Sequence, residues 1–210
     1  MSTVPRRYAS GLREEQARQT RRRIVDAAAG LFLERGYGAT TIGDVAASAG
    51  TSVATVYNAV GGKPALLKAV YDVALAGDDA PVPMAERPAY IAMQHAPDAR
   101  TALHAYAGLG REMAERALPL LVLVLGSHEP DLRAFAEVIE GERLRGTRRT
   151  AGMIEERYGL RPGLTADRAG EILWALTSPE VAERLVLRRG WSWDEFQAFL
   201  GDAATAALVG

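Results

Sequence analysis

The chain of 210 residues has no cysteine and only three histidines. Without cysteine neither a disulfide framework nor a thiolate metal site can form, a composition suited to a reducing cytoplasm. His95, His104 and His128 stand far apart, and none has a second ligand at metal-binding spacing. His128-Glu129 with Asp131 is the nearest thing to a cluster and reads as a surface turn. No metal and no cofactor is therefore expected. Long apolar runs are missing too. Nothing approaches the roughly 18 residues a membrane helix requires, and Arg6, Arg7 and Arg13 occupy the segment where a signal peptide would carry its apolar core. The expectation is a soluble, cytoplasmic protein without membrane contact. Catalytic signatures are also lacking: there is no nucleophile elbow, dinucleotide loop or paired-carboxylate motif. Gly62-Lys63 imitates a phosphate-binding loop only superficially, since Tyr57 stands where that motif needs glycine and Pro64 where it needs Ser or Thr. Catalysis is not expected.

What is present is ample apolar material, 48% of the residues, and an uneven distribution of charge. Residues 1 to 70 hold ten Lys/Arg against five Asp/Glu, a net +5, while the remainder holds fifteen against twenty-one, a net −6. The overall −1 conceals that division. A basic first third on an acidic remainder suits a chain of which one part meets a polyanion and the other does not.

The basic third contains TTIGDVAASAGTSVATVYNAVGGK, residues 40 to 63, which reads as helix, tight turn, helix. Thr41 is placed to cap the first helix, with Asp44 three residues on; Gly50 supplies the positive φ of a sharp turn, and Ser52 caps the second helix. That second helix, Val53 to Asn58, is about one and a half turns and too short to stand alone. Val56 and Val60 supply its packing side. Val53, Ala54, Thr55, Tyr57 and Asn58 are left on the other, where hydroxyls, an amide and small apolar groups suit phosphates, base edges and thymine methyls. Upstream, Ile24, Ala27, Ala28 and Leu31 recur at helical spacing up to a stop at Gly36. Downstream, Pro64 opens a helix whose inner face is Ala65, Leu66, Ala69, Val70 and Val73.

Residues 24 to about 70 resemble the TetR family of transcriptional regulators, through Gly36-Tyr37, Thr40-Thr41, Ala49-Gly50, Ser52, Thr55, Tyr57, Lys63 and Leu66. Ala59 and Val60 stand in place of the aromatic or histidine pair usual after Tyr57, the histidine of which serves one backbone phosphate contact in the family. Gly62 replaces a capping Ser or Asn, and Thr51 a buried valine. The resemblance implies an all-α protein with an N-terminal three-helix, helix-turn-helix DNA-binding domain and a larger helical ligand-binding and dimerisation domain. Thr41, Ser52, Val53, Ala54, Thr55, Tyr57, Asn58 and Lys63 are the expected DNA-contacting residues. The partners implied are double-stranded DNA bearing a pseudo-palindromic operator, a second copy in a homodimer, and a small-molecule effector.

The domain organisation reads as a disordered basic arm over 1–17, the DNA-binding domain with its linker helix over 18–76, and the ligand-binding and dimerisation domain over 77–210. GDDAPVPMAERP, residues 77 to 88, is the break. Beyond it a helix is expected over 98 to 117, with a restart at Pro119 into the apolar LPLLVLVLG. Another helix runs from Pro130 to about Tyr158, one begins after Thr165, and Ser178-Pro179-Glu180 interrupts that one before Gly190 ends it. Ser192 and Glu195 form a capping box, with Trp191 and Phe196 at the positions of a hydrophobic staple. The expected effector pocket lies among Tyr106, Met113, Leu121, Leu125, Phe135, Met153 and Trp174, with Gly108 and Gly110 leaving room, and it suits an apolar or aromatic molecule. The expected dimer face is Phe196, Phe199, Leu200, Ala203, Ala204 and Ala207. Two other functions fit parts of this pattern: a constitutive DNA-binding regulator without effector, and an all-helical carrier or enzyme with a vestigial DNA-binding head.

Overall fold

The structure is a computed structural model describing residues 6–78, 80 and 82–209, with side chains from Arg13 onward. It is all-helical, and no strand occurs among the described residues. Its contacts divide it into two compact units, residues 1–73 and 74–210, with the division inside one helix, α4 (Lys63–Ala76).

The first unit contains α1 (Arg6–Arg35), α2 (Ile42–Ser48), α3 (Val53–Ala59) and most of α4. Ile24, Ala28, Leu31 and Phe32 of α1 are buried with Tyr37, Val45, Val56, Leu66, Leu67, Val70 and Tyr71. Burying such side chains contributes roughly 1.5–3 kcal/mol each for the larger ones, which is what holds two seven-residue helices in place. Gly36, at φ +84°, ends α1, and the buried Thr40 hydroxyl fastens that end by donating to the carbonyls of Gly36 (2.9 Å) and Leu31 (3.2 Å). The expected disordered arm is corrected from Arg6 onward, where α1 already runs; residues 1–5 lie outside those described. Between Pro5 and Gln19 only Gly11 disfavours a helix strongly, the rest being mostly Arg, Ala, Glu, Gln and Leu, and Glu15 bridges to Arg18 and Gln19 at helical spacing.

The second unit holds a short 3₁₀ turn (Met84–Glu86), α5 (Pro88–Gln94), α6 (Ala99–Leu125), α7 (Pro130–Tyr158), α8 (Ala166–Leu176), α9 (Pro179–Ala182) with a π-helical continuation (Glu183–Arg188), and α10 (Trp193–Leu208). Here α6 differs from expectation by running unbroken through Pro119. Pro119 lies on the exposed side, so water can satisfy the Glu115 carbonyl that loses its amide partner. Ala117, Leu118, Leu120, Leu121 and Val124 are buried on either side of it and hold the helix together.

Two glycines set how closely the helices of this unit approach. At Gly170 in α8 a Cβ would lie 2.8 Å from the Cα of Arg148 in α7, and at Gly201 in α10 it would lie 2.5 Å from His104 Nδ1 in α6. Ser192 and Glu195 form the capping box of α10. The staple is rearranged: Trp191 packs edge-on to Phe199 (ring centroids 5.7 Å), while Phe196 takes Trp193 (5.8 Å). Phe196, Leu200, Ala204 and Leu208 form one buried stripe of α10.

Candidate functional site

The helix-turn-helix is built as its residue types require. Thr41 accepts from the Asp44 amide at 3.1 Å, and Asp44 accepts from both the amide (2.9 Å) and the hydroxyl (2.6 Å) of Thr41, a complete capping box. Those bonds, the hydroxyl's first, hold the Asp44 carboxyl below its ordinary pKa. Gly50 turns the chain at φ +63°. Ser52 then caps α3 by accepting from the Thr55 amide at 3.1 Å, and its hydroxyl lies 2.8 Å from that of Thr55. Val56 is the buried anchor of α3, and the Arg21 guanidinium donates to the carbonyl of Ala59 at 3.0 Å, a cation at the negative end of that helix.

With Val56 turned inward, α3 presents Val53, Ala54, Tyr57 and Asn58 to solvent, Val53 being 45% and Tyr57 54% exposed. Thr41 and Ser52 are exposed as well, and Thr55 is half-buried. Lys63 is engaged within the unit. Its ammonium donates to the Gly38 carbonyl at 3.2 Å and stands 4.2 Å from the centroid of the Tyr37 ring. Beside α3 lies an open groove of about 610 Å³, lined by Gln16, Arg18, Thr20, Arg21, Thr55 and Asn58 among others, so that α1 adds basic groups next to the exposed helix.

In the second unit Tyr106, Met113 and Met153 are brought together, packed on Tyr90, Met93 and Leu109 with Met84 alongside. Every methionine beyond Met1 is in this cluster. The Tyr106 hydroxyl pairs with that of Thr177, which donates onward to the Leu173 carbonyl at 2.8 Å; burial pushes the Tyr106 phenol up to about 12, so it stays neutral. Arg143 lies near it, pairing with Glu140 at 2.7 Å and donating to the Trp174 carbonyl at 2.8 Å, with its guanidinium carbon 5.7 Å from the Trp174 ring centroid. Leu121, Leu125, Phe135 and Trp174 are not part of the cluster. Leu121 and Leu125 lie eight and twelve residues past Met113, about 12 and 18 Å along α6. Gly108 and Gly110 do not open space beside Tyr106: a Cβ at Gly108 would meet Gln197, and one at Gly110 would meet Leu200 and Thr177. Tyr90, Met93, Arg143 and Thr177 escaped sequence reasoning. The one available signal was the scarcity of methionine, since the positions share no single helical period.

The expected dimer face is corrected in part. Phe196, Leu200 and Ala204 are packed within the chain's own core, because their i, i+4, i+8 spacing is the stripe that meets α6 and α8. Phe199, Ala203 and Ala207 remain half-buried, with Ala198 and Ala206 exposed beside them.

The first unit is thus a helix-turn-helix DNA-binding domain. Residues 24–70 match the model for bacterial regulatory proteins of the tetR family, so the first unit carries a DNA-binding domain of that type. No curated protein matches the chain. Among solved structures it shares its fold with FadR, a fatty acid degradation regulator from Bacillus halodurans (15% identity, 88% of this chain and 93% of that one, TM-score 0.67). NalD, the secondary repressor of the MexAB-OprM multidrug efflux pump in Pseudomonas aeruginosa, is similar over 92% of this chain and 97% of its own (21% identity, TM-score 0.67). SmeT, solved in complex with triclosan, is similar over 91% and 92% (21% identity, TM-score 0.64). Among the described residues no helix is long and apolar enough to cross a membrane.

Proposed function

We propose that this regulator is a homodimeric repressor, released from a pseudo-palindromic operator by an apolar or aromatic small molecule. The observation that carries the DNA-reading part is the exposed face of α3, where Val53, Ala54, Tyr57 and Asn58 project from a helix anchored through Val56. Asn58 is assigned to a base edge, Val53 and Ala54 to thymine methyls, and Thr41, Ser52, Thr55 and Tyr57 to phosphates. Lys63 contributes through the field of its charge, its ammonium being held on Tyr37 and Gly38.

Residues 18–76 carry the reading head and its linker helix, and 77–210 carry the effector and dimer sites. The cluster of Tyr106, Met113 and Met153 is assigned as the effector site, with Trp174 linked to it through Arg143, a reading that the triclosan bound by SmeT supports by likeness of ligand chemistry. One turn past Met113, Arg116 donates to the carbonyls of Ala74 (3.0 Å) and Leu75 (2.8 Å) at the end of α4. A ligand that moves α6 at Met113 therefore acts on the helix that continues into the reading head, and it shifts DNA binding by its differential affinity for the two arrangements.

The test is binding of the purified protein to the DNA upstream of its own gene, over a range of salt concentrations. The expected result is a protected palindrome with half-site centres roughly 34–36 Å apart and affinity falling steeply with salt. Asn58→Ala is expected to relax the preference at one base pair per half-site by roughly 1–3 kcal/mol. A uniform loss over all operator variants would remove Asn58 from base reading, and absence of salt-dependent binding would sink the repressor assignment.

A further inference from the structure

The groove between α1 and α3 carries the polyanion-binding surface past α3 itself. Gln16, Arg18 and Thr20 of α1 line it with Thr55, Asn58 and Ala59 of α3, around an open space of about 610 Å³. Arg21 ties the two helices together through the Ala59 carbonyl at 3.0 Å, and its charge offsets the negative end of α3, which would otherwise repel a phosphate. An α-helix with its side chains is roughly 10–12 Å across and the major groove of DNA about 12 Å wide, so a helix seated there has a sugar-phosphate strand along each flank. The space beside α3 lies on one such flank.

The α1 side of that space has the chemistry a phosphodiester needs. The Gln16 amide has no hydrogen-bond partner among the described residues. The Thr20 hydroxyl accepts from the Arg23 guanidinium at 3.4 Å, which leaves its own proton to donate. Arg18 is exposed and pairs with Glu15, also exposed and one turn back along α1; a pair so open to water is weak, and its guanidinium can exchange a carboxylate for a phosphate. From Arg13 to Arg23 the helix carries five arginines against two glutamates, a charge complementary to DNA.

We infer that this groove holds the sugar-phosphate strand bordering the major groove that α3 enters, with Gln16 and Thr20 donating to phosphate oxygens and Arg18 leaving Glu15 for a phosphate. This rests on the reading of α3 as the DNA-reading helix.

Phosphate contacts are independent of base sequence, so duplex DNA of mixed sequence is a sufficient probe, titrated against the full-length protein by fluorescence anisotropy over a range of salt concentrations. Arg18→Gln is expected to reduce the slope of log affinity against log salt by about 0.9 and to weaken binding roughly eightfold near 0.1 M salt. Arg22→Gln removes the same charge from the same helix, at a residue paired with Asp26 and outside the groove, and should change the slope much less. Gln16→Ala and Thr20→Val should each weaken binding roughly fivefold with the slope unchanged, because neutral donors release no counterions. Thr20→Ser, which keeps the hydroxyl, should bind as wild type. Glu15→Gln removes the competitor for Arg18 and should tighten binding severalfold. Should Thr20→Val fail to fold, the exposed Glu15, Gln16 and Arg18 still decide the matter.

Equal slopes for Arg18→Gln and Arg22→Gln, wild-type affinity for Gln16→Ala and Thr20→Val, or weaker binding by Glu15→Gln would each overturn the inference. If Tyr57→Ala weakens binding while the α1 variants match wild type, α3 reads DNA, the groove has another occupant, and this inference falls alone. Absence of salt-dependent binding by the wild-type protein would remove the reading of α3 and this inference with it.

Discussion

Lys63 holds its ammonium 4.2 Å from the centroid of the Tyr37 ring while donating to the carbonyl of Gly38, so the residue that opens α4 is tied to the turn that closes α1. Tyr37 is buried and packs on Phe32 with ring centroids 5.3 Å apart, which fixes the platform the ammonium rests on. A lysine at the edge of a DNA-binding surface is usually assigned to phosphate. Here its nearest partners lie inside the domain, and its loss is expected to act first on stability.

Lys63→Met, which keeps the aliphatic stem, should lower the stability of the first unit by about 1 kcal/mol, the sum expected of a partly exposed cation–π contact and one hydrogen bond. Combined with Tyr37→Leu, the two losses should be less than additive. Urea unfolding of the single and double variants measures this, and full additivity would show that the pair is not coupled.

Acid should loosen the helix starts. Asp44 and Glu195 each accept hydrogen bonds from the amide and hydroxyl of their capping partners, Thr41 and Ser192, and both carboxyls are held below their ordinary pKa, Asp44 chiefly by the Thr41 hydroxyl and Glu195 chiefly by the Ser192 amide. A carboxyl depressed in the folded state adds stability that is fully present above its unfolded pKa of about 4 and is lost as pH falls through the folded value. Asp44→Asn and Glu195→Gln should therefore be less stable than wild type at pH 7 and converge with it in acid. Thermal unfolding between pH 7 and pH 3 tests this; parallel pH profiles would count against it.

The outer face of α10 and its inner stripe should respond differently to substitution. Ala206→Arg, on the exposed side next to Ala203 and Phe199, should give a folded monomer of weakened operator affinity, since an arginine cannot be accommodated where two copies of a small-residue face meet. Leu200→Ala, in the buried stripe, should instead cost about 2–5 kcal/mol of fold stability. Sedimentation and thermal unfolding separate the two. An intact Ala206→Arg dimer would place the interface elsewhere.

Gly170→Ala should be costly for a residue change of one methyl group. The added carbon would stand 2.8 Å from the Arg148 Cα and 2.7 Å from its Cγ, so α7 and α8 must move apart. Overpacking of this kind costs roughly 1–3 kcal/mol, and a melting temperature equal to wild type would show that the two helices separate freely.

The helix-turn-helix was legible from the chain because its determinants are local. Thr41 with Asp44, Gly50, Ser52 and the Ser192/Glu195 box act through bonds spanning three or four residues, and each formed as its spacing predicts. Val56 could be assigned inward and Tyr57 outward from helical period alone. Pro119 shows the limit of local rules: helix propensity breaks α6 there, and apolar packing on both sides keeps it whole. The α10 stripe shows another. Its period correctly identified Phe196, Leu200 and Ala204 as buried, but a periodic apolar face looks the same whether it meets a second copy or α6 and α8 of its own chain. Only the packing of the second unit decided that, as it decided that four methionines far apart in sequence converge on Tyr106 and that Trp174 holds a donor without an acceptor. Such groupings depend on which helices cross and at what separation. That separation is set by contacts such as Gly170 with Arg148, whose partners lie 22 residues apart and leave no period in the sequence.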